Sequence, residues 1–228
     1  MSNEQFAHKL DFIEYTINDD VKSTSMGVVI WLHGLGANAQ DFVPLIPELK
    51  LKSHIKFIFP NAPQRTITIN NGALMQAWYD IRDMTKIDNA VDWDGIDHSV
   101  LQVENLIDYL IKEEQKPIHI AVVGFSQGGV IAYMMALRSQ HRFAGILALS
   151  CYLPDVDFNL VSNMNKKTPI LACHGKYDMI VPYDTGLESY NKFRTHGFNI
   201  SWKGYPMDHG VCLDEIKDIS LWFQDRFI

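Results

Sequence analysis

The sequence predicts an α/β fold with a mostly parallel central sheet flanked by helices. Two observations predict it. Short apolar runs of strand length alternate with longer segments whose apolar residues recur at helical spacing, and such alternation implies βαβ crossovers and parallel pairing. The short runs are also nearly continuous in Val, Ile, Leu and Ala, as strands buried on both faces must be. With 228 residues and no internal repeat, low-complexity tract or linker, residues 1–228 are expected to form one domain, 1–25 serving as an N-terminal lead-in.

Taken in order, strands are expected at Met26–His33, Ile55–Pro60, Ile118–Gly124, Phe143–Ser150, Thr168–Gly175 and Asn199–Tyr205. Trp31–Phe42 reads as a strand, a glycine-rich turn and then a helix. Residues 61–95 fit neither period and are expected to pass over the C-terminal edge of the sheet, where α/β folds place their ligands. Over 97–114, Val100, Val103, Leu106, Ile107, Leu110 and Ile111 share one helical face, with Asp97 or Ser99 as N-cap. Helices are also expected after Ser126, over Asp184–Gly197 with Gly197 as a left-handed C-cap, and from Leu213 to Phe227.

Composition narrows the function. Hydrophobic residues make up 47% and charged residues 21%, as in a packed globule. A net charge of −7 without a basic face argues against a nucleic-acid partner. The acidic stretch from Asp88 to Asp97 reads as a solvated loop. No secretory leader, membrane span or lipid-anchor signal is expected from the sequence. Three cysteines without CxxC spacing read as reduced, buried thiols of a cytosolic protein.

"AVVGFSQGGVIAY" (121–133) carries the sharpest signal. A lone G-x-S-x-G arises by chance in roughly one chain in ten of this length. Here an apolar run precedes it and a helical run follows, the strand–turn–helix setting of a nucleophile elbow. Glycines at 124 and 128 let strand and helix cross too closely for a Cβ, while Ser126 takes the strained turn and Gln127 begins the helix. The competing reading is an anion-binding turn with an idle serine.

A nucleophilic serine needs a base, and the base an orienting acid. Downstream, Asp178 follows one strand and His209 the next, in the chain order Ser, Asp, His. His8, His54, His98, His141 and His196 stand in polar or helical surroundings and are expected at the surface. His119 reads as a core residue, and His174 as a brace for the acid loop. The glycine-rich turn at Gly34–Gly36 supplies the second backbone donor, so the N–H groups of Leu35 and Gln127 are the candidate oxyanion donors. A metal site on His33, His174 and His209 fails on spacing, so no metal or organic cofactor is called for.

"WLHGLGANAQDF", "FPNAP", "AWYDI", "GFSQGG", "LSCYLP", "HGKYDMIVP" and "YPMDHGVC" occur in this order from about Gly27 onward. Together they resemble the phospholipase/carboxylesterase family that includes the acyl-protein thioesterases. The resemblance implies a compact α/β-hydrolase without a large lid domain, acting on carboxylic esters and, in some members, lysophospholipids or protein S-acyl thioesters. It puts the nucleophile on Ser126, the acid on Asp178, the base on His209 and the oxyanion donors on Leu35 and Gln127. Trp78 and Tyr152 fall where the acyl chain would lie. Asp208, Tyr152 and Gln76 depart from the residues usual in the family: a small residue, Trp and Pro.

The expected substrates are therefore small esters, lysophospholipids or S-acylated proteins. Met84, Met179 and Ile180 are candidates for an apolar rim that makes transient membrane-surface contact, and Met179 and Ile180 join Trp78 and Tyr152 as acyl-binding candidates. Two rivals remain: a non-catalytic binding module, which would have lost a triad member, and a hydrolase of peptides or lactones. A dienelactone-type hydrolase would carry Cys at position 126.

Overall fold

The computed structural model describes residues 10–18, 26–83, 91–114 and 118–227. His8, Met84 and the first part of the acidic stretch lie outside these. Seven strands form one sheet: β1 (Phe12–Ile17), β2 (Met26–Leu32), β3 (Ile55–Pro60), β6 (Ile118–Phe125), β7 (Gly145–Leu149), β8 (Ile170–Gly175) and β9 (Ile200–Tyr205). Their order is β1-β3-β2-β6-β7-β8-β9. All neighbours are parallel except β1, which runs antiparallel along β3. Part of the expected lead-in is thus an edge strand. Its alternation is too weak to stand out, because edge residues remain partly exposed.

Period-two alternation divides each central strand between two cores. Val28, Ile30, Val122, Ile146 and Ala172 face one side, covered by α1 (Trp93–Glu113), α2 (Gln127–Arg138) and α3 (Tyr183–Thr195). Val29, Trp31, Val123, Leu147 and Leu171 face the other, where α4 (Leu213–Gln224) brings Ile216, Ile219 and Phe223. With both faces covered, the continuous apolar runs follow.

Several expectations need correction. No α-helix follows the glycine turn at 34–36. The chain makes turns and two short 3-10 helices, Val43–Leu45 and Pro47–Leu49. Pro44 and Pro47 have no N–H to donate and interrupt any longer helix. α1 starts earlier than expected, capped by Asp92, whose side chain accepts from Gly95 N–H. Ser99 instead donates its hydroxyl to Trp78 O. Ile111 lies outside the buried face, and His119 points to solvent from β6. Residues 61–95 include a two-stranded hairpin, β4 (Gln64–Ile67) and β5 (Ala73–Gln76), turning through Asn71 and Gly72, both at positive φ.

Candidate active site

Ser126 joins β6 to α2 at φ 53°, ψ −116°. A non-glycine residue held in so sparse a conformation costs roughly 1–3 kcal/mol and persists only when its surroundings over-determine it. They do. Ser126 N–H donates to Leu149 O at 2.8 Å, and Gly129 N–H donates to Ser126 O at 2.9 Å. A Cβ at Gly124 would overlap Gly128 O, and one at Gly128 would overlap Leu32 O. The two glycines let strand and helix meet backbone to backbone, and the serine is squeezed out between them.

The other two residues sit at the ends of adjacent parallel strands, β8 and β9. His209 Nδ1 lies 2.7 Å from Asp178 Oδ2, and His209 Nε2 lies 3.0 Å from Ser126 Oγ. A carboxylate only accepts, so Nδ1 carries the proton and Nε2 is free to accept from the serine hydroxyl. Asp178 Oδ1 accepts from the Ile180 and Val181 N–H groups, each at 2.8 Å. His174 donates from Nε2 to Val181 O at 2.9 Å, bracing that turn, and burial holds its pKa below the ordinary value. Lys176 N–H to Tyr205 O (2.8 Å) and Tyr177 N–H to Met207 O (3.0 Å) tie the acid loop to the histidine loop. Asp208 is exposed and takes no part in the bond to His209, which Asp178 makes.

The glycine turn is fixed from below. His33 Nε2 accepts from Ala62 N–H at 3.0 Å, so Nδ1 carries the proton and donates to Gly34 O at 2.7 Å. Burial lowers the His33 pKa, which keeps this neutral form. Gly36 N–H donates to Gln76 O at 2.9 Å, linking the turn to the hairpin. The Gln127 side chain accepts from Trp78 N–H (2.8 Å) and donates to Tyr79 O (2.6 Å). Neither the Leu35 nor the Gln127 N–H is a donor in the turn and cap hydrogen bonds of the described residues.

A cavity of about 440 Å³ opens above Ser126, lined by Leu35, Gln127 and His209 and by mainly apolar side chains. Of the four acyl-site candidates, Tyr152 and Ile180 line it. Tyr152 hydroxyl meets Tyr79 hydroxyl at 3.1 Å. Trp78 does not line it: the indole is fully buried against His33 and donates to His33 O at 2.8 Å. Met179 projects into solvent at 88% exposure, whereas Ile180 is 51% exposed. The sequence reading missed Asp41, Phe42, Ile69, Tyr79, Ile81 and Phe125 in the wall. The Asn-Gly pair at 71–72 is a strong hairpin signal and was the clue to the segment that carries Ile69.

Among the described residues no three His, Cys, Asp or Glu side chains are placed to hold a metal ion. Both ring nitrogens of His33 are already engaged. Burial pushes the Cys151 and Cys173 thiols up, leaving them protonated and unreactive; Cys212 is partly exposed.

The doubly wound sheet, the elbow at Ser126 and the loops after β8 and β9 define an α/β-hydrolase. A profile of the phospholipase/carboxylesterase family matches residues 16–225, and the chain belongs to that family. It is 32% identical over 217 residues to acyl-protein thioesterase 1 of Yarrowia lipolytica, covering 90% of this chain and 94% of that one. It is 33% identical to acyl-protein thioesterase 1 of Saccharomyces cerevisiae, covering 84% and 89%. The crystal structure of Arabidopsis thaliana SOBER1 superposes with a TM-score of 0.82 at 29% identity, covering 89% of this chain and all of that one.

Proposed function

We propose that this protein hydrolyses carboxylic esters and thioesters through an acyl-serine intermediate, with Ser126 as nucleophile, His209 as base and Asp178 as orienting acid. The observation that carries the reading is the unbroken hydrogen-bond chain from Asp178 through His209 to Ser126 Oγ at the floor of an apolar cavity. Oγ attacks the acyl carbon while His209 takes its proton, and Asp178 stabilises the imidazolium that forms. The oxyanion is received by the N–H groups of Leu35 and Gln127, each worth about 2.7–4 kcal/mol in comparable chemistry. His209 then protonates the departing alcohol or thiol. Water attacks the acyl-serine by the same steps, returning the acid and the free serine. The apolar wall suits an acyl chain, and the relatives named above include acyl-protein thioesterases.

The test is a series of p-nitrophenyl esters from acetate upward, with Ser126→Ala in parallel. Wild-type turnover is expected, and the variant should lose on the order of 10⁴-fold or more in kcat. A variant as active as the wild type would remove Ser126 from the mechanism.

A further inference from the structure

Asp41 stands at the mouth of the cavity, in the turn that follows the glycine loop. Among the described residues it is the only Asp, Glu, Lys or Arg side chain lining that space. It joins none of the ion pairs of the described residues. Its chain neighbour Phe42 packs on Phe125 with ring centroids 5.5 Å apart, and Phe125 packs on His209 at 5.0 Å. Phe42, Phe125 and His209 therefore form an aromatic row, and the unpaired Asp41 lines the same cavity.

The departing oxygen or sulfur must come within reach of His209 Nε2 to receive its proton, and Phe125 packs on that imidazole, so the leaving group passes beside this row. Whatever the leaving group carries beyond that atom meets aromatic rings and a negative charge. Aromatic faces and a carboxylate together favour a cation and disfavour an anion. We infer that Asp41, with Phe42 and Phe125, selects substrates whose leaving group is positively charged beside the scissile bond: an S-acylated cysteine flanked by Lys or Arg. The same thioester on an acidic peptide or a phosphate-bearing carrier is disfavoured. This inference rests on the acyl-serine reading above.

Three octanoyl thioester peptides, alike except for Lys, Ser or Glu on either side of the acylated cysteine, test it through kcat/KM for thiol release. The wild type is expected to prefer Lys over Glu about tenfold at low salt, with the ratio shrinking at about 0.5 M salt as the charges are screened. Asp41→Asn should bring the Lys-to-Ser ratio close to one, and Asp41→Lys should reverse the order. Equal wild-type rates on all three peptides, or a Lys preference undiminished in Asp41→Asn, would overturn the proposal while leaving the hydrolase reading intact. Failure of the wild type to cleave any of the three would overturn both. Ser126→Ala, inactive on every peptide, shows that the rates compared belong to this site.

Discussion

Asp178 and His209 stand on loops that leave two hydrogen-bonded parallel strands, whereas Leu35 stands on a turn held from outside the sheet. In the first half of the site, β8 and β9 end side by side with Gly175 opposite Tyr205. Strand spacing of about 4.8 Å then brings the acid within reach of the base. In the second half, position depends on separate clamps: His33 on Gly34, Gln76 on Gly36, and Gln127 on Trp78 and Tyr79. One half inherits its geometry from the sheet. The other assembles it bond by bond, and single side chains there carry more of the positional burden.

Breaking the sheet-held half should show its largest effect in chemistry, not stability. Asp178→Asn keeps the side-chain shape but can no longer fix the His209 tautomer, and kcat is expected to fall about 10⁴-fold. Thermal denaturation should show only a small shift. A loss of kcat below tenfold would mean that another group orients His209. In the clamp-held half the balance reverses. Gln127→Met keeps the backbone N–H proposed for the oxyanion but leaves Trp78 N–H and Tyr79 O without partners in a buried place. At about 1–3 kcal/mol for each of the two orphaned groups, stability should drop by roughly 2–6 kcal/mol. The kcat loss should stay near tenfold. Denaturant unfolding beside ester hydrolysis separates the two responses.

Legibility in the sequence follows the same division. Strands covered on both faces give nearly unbroken apolar runs, so β2, β3, β6, β7 and β8 could be placed within a few residues; β9, a half-exposed edge strand, is placed as closely from a run broken by Ser201 and Lys203. Ser126, Asp178 and His209, which the fold brings together, are legible because Ser126 and Asp178 each follow one of the nearly unbroken runs and His209 follows the next strand. The glycines at 124 and 128 were readable because a steric need leaves a composition signature. Clamps leave none. Nothing local distinguishes a Gln that holds two backbone groups from one in solvent, and the Gln127 side chain escaped notice. Trp78 shows the converse: an aromatic next to the site, expected along the acyl chain, serves as a prop beneath it. The β4–β5 hairpin was hidden because its strands, QRTI and ALMQ, lack clean alternation despite the Asn-Gly turn.

The sheet-held half contains one exception to its own rule, and it yields the smallest and sharpest prediction. Asp178 is buried with every carboxylate oxygen engaged, whereas Glu215, in the first turn of α4 beyond His209, is buried with neither oxygen in a well-formed hydrogen bond. Burial pushes its pKa up to about 8, and the Cys212 backbone offsets this only in part. An unfolded glutamate loses its proton near pH 4.3. Between that pH and about 8 the folded protein therefore holds a proton that the unfolded chain has released, so stability from this group falls as pH rises through the window. Glu215→Gln removes the titration with little change in shape. Its melting temperature relative to wild type should climb steadily from pH 5 to pH 8, by an amount worth no more than about 4 kcal/mol. A difference that stays flat across that range would mean that Glu215 is already ionised in the folded protein. The carboxylate would then have a partner as good as those of Asp178, and the two buried acids of this half would be alike after all.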